Sequence, residues 1–210
     1  MTQIITRLFD NFFDAQHAVV ELERIGVPHG DISLVTSGAN KVHAPVHVRE
    51  PRNRSTGEAA ASDAGVGAAA GGAIGAAGGV LAGLGLLAIP GLGPVVAAGW
   101  LASAAVGAVV GGAVVGAAGG IVGALTHAGV SEEEAHVYAE AVRRGSTLVS
   151  AKVADDRVAL AEAGLANLPA VDVAARGVSY RAAGWTRYDV NAPIYTDEEI
   201  ARERARYIVR

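Results

Sequence analysis

The sequence predicts an α+β fold in which two β-α-β halves flank an inserted Gly/Ala-rich helical hairpin. Three observations carry this. Residues 64–126 hold no charged side chain. Within them small residues step by four: Gly67, Gly71, Gly75, Gly79 and Gly83, then, after Ile89-Pro-Gly-Leu-Gly-Pro94, Ala104, Ala108, Gly112, Gly116, Gly120 and Ala124. On either side of this region the chain reads strand, helix, strand, with ordinary soluble composition: six basic and eight acidic residues in 1–63, eleven and thirteen in 128–210.

Residues 3–9 are rich in β-branched and large apolar side chains and read as a strand. Asp10 or Asn11 can cap a helix to about Arg24. Its apolar residues Phe12, Ala15, Val19, Leu22 and Ile25 fall at three- and four-residue steps, and Gly26 stops it. Residues 31–36 read as a second strand, and 37–63, with Pro, His and Arg, as a polar loop.

The predicted hairpin helices cover about 64–88 and 95–126, roughly 36 and 48 Å long at 1.5 Å per residue. A four-residue step keeps the small residues on one slowly drifting face. Each Gly costs about 1 kcal/mol of helix stability relative to Ala, so such a ladder calls for close helix contact, or lipid, to offset it.

Ser131 and Glu134 form a capping box for the following helix. Its apolar face is Ala135, Tyr138, Ala139 and Val142, and Gly145 ends it. Residues 147–153 alternate as a third strand. Asp155 or Asp156 is the expected cap of a helix to about Asn167, stopped by Pro169, and residues 171–175 read as a short fourth strand. Four such strands build the ferredoxin-like arrangement, with helices on one face. The expected units are therefore 1–63, the zipper hairpin 64–127, 128–181, and a docking tail 182–210. In the tail Trp185, Tyr188 and Tyr195 are suited to hold an extended segment on a surface, and Thr196 with Glu199 opens a last, Arg- and Glu-rich helix containing Arg202, Arg204 and Arg206.

The chain resembles the YflT-type general stress proteins with a glycine-rich central region. The resemblance rests on Ile5-Thr-Arg-Leu-Phe-Asp10, Gly26-Val-Pro-His-Gly-Asp-Ile-Ser-Leu-Val35, Leu84 to Gly99, Gly129 to Ala135 and Tyr138 to Gly145. It spans roughly residues 4–176 and implies a small α+β domain with a Gly/Ala hairpin, linked to stress and the cell envelope. It implies no enzyme activity.

The functional expectation is a non-enzymatic protein that self-assembles through Gly67, Gly71, Gly75, Gly79 and Gly83 facing Gly112, Gly116 and Gly120. Small-xxx-small ladders pack membrane helices. Arg49, Arg52 and Arg54 before the hairpin, and Arg143 and Arg144 after it, give a positive-inside pattern. The lengths suffice for a core of about 30 Å, which predicts a transmembrane hairpin at the cytoplasmic face of the inner membrane with both termini cytoplasmic. The N-terminus lacks the pattern of a secretory signal. The first helix is weakly apolar, so a soluble shell, tube or ring that buries the hairpin between subunits stands as the alternative, as does a regulatory module that binds a ligand. Partners are therefore other copies of the chain and membrane lipid.

Other chemistry is discounted. The net charge of −4 argues against nucleic acid, and no small-molecule substrate is expected. With no cysteine, thiol chemistry is absent. Gly83-Leu-Gly85 imitates a dinucleotide fingerprint but lacks the preceding strand and the acid about twenty residues on. His29, His43 and His47 lack a completing ligand set, so no metal or cofactor is expected. Glu132, Glu133 and Glu134, like Asp155 and Asp156, are explained by helix N-termini. His127 and His136 read as locally satisfied. Trp100 is either an anchor on the far side of a membrane or a packing residue.

Overall fold

The computed structural model describes residues 1–37, 85–89, 92–101, 104 and 120–208. They form a mixed α/β body around one antiparallel sheet. The strands are β1 (Thr2–Phe9), β2 (Ile32–Ser37), β3 (Gly85–Ile89), β4 (Gly93–Ala98) and β5 (Thr147–Ala154), in the spatial order β1-β5-β2-β4-β3. The described helices are α1 (Phe12–Arg24), α2 (Ile121–His127), α3 (Glu132–Arg143), α4 (Val158–Leu165), α5 (Val173–Ala182) and α6 (Asp197–Ile208).

Most of the flanking elements form where the sequence places them, and for the expected reasons. Asn11 caps α1 by accepting from the Phe13 amide at 2.9 Å. Ser131 and Glu134 make their capping box, as do Thr196 and Glu199. Strand β5 pairs along its whole length with β1 and along Thr147–Ala151 with β2.

Both faces of the sheet are covered, where helices on one face were expected. On the first, Ile5, Phe9, Ile32, Leu34, Val149 and Val153 pack with Phe12, Val19 and Leu22 of α1 and Ala161 and Leu165 of α4. On the second, Leu8, Val35, Val95 and Leu148 pack with α2, α3, α5 and the tail. The two covered faces show as unbroken burial along β2 and the start of β5, since a strand sandwiched between two layers buries alternate residues on each side.

The predicted helical hairpin is corrected at 85–98. These residues form a β-hairpin: Gly85 pairs with Ala97 and Ile89 with Gly93, and β4 pairs with β2 from Leu34↔Ala98 to Ser37↔Val95. Pro90, Gly91, Gly93 and Pro94 break helices, the β-branched pair Val95-Val96 favours a pleated surface, and β2 offers an edge to pair with. Val95, Leu101, Ile121, Val122 and Leu125 belong to the buried core, so part of the charge-free region builds the body. Gly67, Gly71, Gly75, Gly79, Gly83, Gly112 and Gly116 lie outside the described residues. Gly120 precedes α2 as its N-cap with φ of 76°, not within a continuous helix.

Two smaller corrections follow from capping. Residues 171–175 do not make a strand: the Asp172 side chain accepts from the Ala175 amide at 3.0 Å and starts α5, leaving one backbone bond from Val171 to Leu8 beside β1. Asp155 and Asp156 open a single 3-10 turn before α4, whose N-cap, Arg157, makes no side-chain cap bond. Among the described residues, no helix is long and apolar enough to cross a membrane.

Candidate functional site

The charge-free region meets the body at one end of the sheet. The register Gly85↔Ala97 places the start of β3 beside the end of β4, so the stretches before Gly85 and after Leu101 are attached to neighbouring points. Gly99 makes the exit possible. Its φ is 84°, and a Cβ there would run into the Ile32 carbonyl oxygen and Ser33. The closeness lets the Leu101 amide donate to Ser33 Oγ at 2.9 Å, which anchors the chain as it leaves the strand.

Just beyond this exit lies a cavity of about 800 Å³, lined by Ile4, Trp100, Ala104, the α2 residues Gly123, Ala124, Thr126 and His127, Ala128, and Lys152. Cross-strand pairing sets Ile4 opposite Lys152. The Lys152 ammonium stands 4.6 Å from the centre of the Trp100 ring, a cation–π contact. Trp100 thus packs on the body beside the sheet, not at a distant hairpin turn. Its Nε1 is buried, with no hydrogen-bond partner among the described residues. Lys152 is half-buried, and among the described residues it has no acidic partner.

The tail docks on the second face of the same body. Tyr188 is 2% exposed, Trp185 packs on the core, and the Trp185 and Tyr180 rings meet edge-on at 5.8 Å. Tyr195 lies 5.1 Å from the Arg143 guanidinium and 5.5 Å from that of Arg144. Beneath these rings Glu140 is fully buried. It receives Arg143 Nη2 at 2.9 Å and Arg144 Nε at 2.6 Å, and Arg144 Nη1 reaches Glu203 of α6 at 3.1 Å. Burial works against the Arg144 charge, but the bonds from Glu140 and Glu203 outweigh it and hold its pKa above the usual range. Burial also raises the Tyr188 and Tyr195 phenols.

A second clasp joins β1 to the C-terminal helices. Arg176 grips Asp10 through two bonds, at 3.0 and 2.6 Å, and Ser146 Oγ donates to the same carboxylate at 2.9 Å. Tyr207 stacks 3.6 Å from Arg176. Of the tail arginines, Arg204 donates to the Gly145 carbonyl at 2.6 Å, Arg206 pairs with Glu203 at 2.9 Å, and Arg202 bonds within its own helix. The tail therefore clasps its own subunit.

Of the acids expected at helix N-termini, Glu134 joins the Ser131 cap, whereas Glu133 pairs with Arg181 of α5 and Asp155 lies 3.6 Å from the Met1 ammonium. His29 pairs with Glu23 at 2.6 Å. His43 and His47 lie outside the described residues, and among those described no group of His and acidic side chains is placed to hold a metal. His136 is buried, with Glu132 at 3.7 Å; burial and then Arg187 lower its pKa.

Sequence reasoning missed Lys152, Glu140 and the Asp10–Arg176 pair. Lys152 occupies an ordinary polar position of an alternating strand. Glu140 had one readable sign, arginines three and four residues on. Asp10 and Arg176 are too far apart in the chain to suggest each other. Compared with known proteins, the chain matches no family model, no curated protein and no solved structure.

Proposed function

We propose that this is a non-enzymatic, stress-related protein that self-assembles through the charge-free stretches 64–84 and 102–119 while its α/β body rests on the cytoplasmic face of a membrane. The observation that carries this is the attachment of both stretches at one end of the sheet, on a body that has two hydrophobic cores of its own. The stretches are then left to pack with each other or with other copies, along Gly67, Gly71, Gly75, Gly79 and Gly83 on one and Gly112 and Gly116 on the other. The stress association rests on the resemblance to the YflT-type proteins. The order β1-β5-β2 fits a ferredoxin-like sheet. In that reading the fourth strand is reduced to the Val171–Leu8 bond, and the β4–β3 hairpin extends the opposite edge.

Topology favours a surface position over a spanning one. Leu101 and Gly120 are both buried in the body. The interval between them is too short to cross a bilayer twice, which takes about 20 residues each way. Between Ser37 and Gly85, likewise in one body, only 64–84 is charge-free. That is one crossing, and a return needs two.

Because the chain has no cysteine, a Gly75→Cys, Gly112→Cys double variant reports the packing directly. Oxidation is expected to give an intramolecular cross-link or a ladder of linked subunits, and the Gly75→Cys, Arg202→Cys control gives neither. Equal, slow cross-linking of both pairs would refute packing along the ladder.

A further inference from the structure

We propose that the cavity between Lys152, Trp100 and His127 binds the phosphate headgroup of an anionic phospholipid. The inference rests on the membrane-surface reading above and names what the surface would recognise. Four observations converge on it. The cavity contains the half-buried Lys152, and among the described residues Lys152 has no acidic partner and no carboxylate lines the cavity. The buried indole N–H of Trp100 has no hydrogen-bond acceptor among the described residues. Of the remaining described walls, Ile4, Ala104, Gly123, Ala124 and Ala128 are apolar, suited to a glycerol backbone and the first acyl carbons, and the Thr126 hydroxyl is turned onto the Val122 and Gly123 carbonyls of its own helix. Finally, the cavity lies where the charge-free stretches join the sheet, since Trp100 directly follows Gly99 and Gly120 directly precedes α2.

The chemistry is that of an interfacial anchor. Lysine and tryptophan concentrate at the headgroup level, the ring half in the apolar layer and the ammonium at the phosphate. Here the ring also holds the ammonium at 4.6 Å, limiting the freedom that a lone surface lysine loses on binding. His127, exposed at the end of α2, supplies a second donor at the rim. A cavity of about 800 Å³ lies within the range of small-ligand sites and accommodates a headgroup with its glycerol.

Flotation of the full chain with vesicles of pure phosphatidylcholine, and of phosphatidylcholine mixed with phosphatidylglycerol, tests this. The expected result is tighter binding to the mixed vesicles, with Lys152→Gln losing about fivefold on those vesicles and nothing on pure phosphatidylcholine, while Arg202→Gln, on exposed α6, changes neither. In a Trp185→Phe background Trp100 is the sole indole, and dihexanoyl phosphatidylglycerol is expected to shift its emission where inorganic phosphate does not. Binding to both vesicles without a phosphatidylglycerol preference would overturn the headgroup site and leave the membrane reading standing. Binding to neither would overturn both. Equal losses for Lys152→Gln and Arg202→Gln would show diffuse charge attraction in place of a site, and an equal shift with inorganic phosphate would show a free-anion site.

Discussion

Glu140 shows how one side chain sets the terms for its neighbours. It is fully buried beneath the tail and accepts from both Arg143 and Arg144. Removing it strands the buried Arg143 guanidinium and leaves Arg144 with Glu203 as its remaining carboxylate. Glu140→Ala is therefore expected to destabilise the fold by about 3–5 kcal/mol, read from denaturant melts, and to loosen the tail. Burial and Arg187 depress the His136 pKa, so the folded state holds fewer protons there than the unfolded chain. Its contribution is full above the unfolded value near 6.5 and is lost as pH falls through the folded value. Wild type should thus lose stability on acidification relative to His136→Phe, and parallel pH profiles would contradict the assignment. The alkaline side has the opposite sign. Burial pushes Tyr138 up to about 12 and also raises Tyr180 and Tyr188, so stability present below about pH 10 declines as the pH rises through those values.

Among the elements, the caps of α1, α3 and α6 were legible, and so was the turn at 89–94, but the strands on either side of that turn were not. Asn11, Ser131 and Thr196 act within three residues of themselves, so their role is written locally. Residues 171–175 misled because Val171 and Val173 suit a strand, while Asp172 between them suits an N-cap, and the cap won. The four-residue ladder runs unbroken from Gly67 to Gly83; Pro and Gly residues mark the turn at 89–94, but carrying the helical period up to 88 and on from 95 predicts helix where the two arms are strands. What decides that interval is the free edge of β2, a tertiary partner that no local pattern reports. Gly99 is the joint that lets β4 reach that edge. Gly99→Val is expected to cost about 1–3 kcal/mol for the strained backbone and more from the clash with β2. Amide exchange should speed up through Gly93–Ala98 while β1 and β5 keep their protection. Uniform exchange across the sheet would show that the hairpin has no separate joint.

For the whole molecule, the described residues build a body with two hydrophobic cores and a self-clasped tail. The charge-free stretches attach at one end of its sheet, with the cavity at their root. The composition of 64–126 announced that something apolar had to be covered, but which part the body itself covers depended on long-range pairing. If the remaining glycine stretches drive assembly, sedimentation of the full chain without detergent will show it. Wild type should sediment as a multimer. A Gly75→Leu, Gly116→Leu variant should fall toward the 21.1 kDa single chain with an unchanged circular dichroism spectrum. A wild type that sediments as a single chain, or a variant of undiminished size, would contradict it.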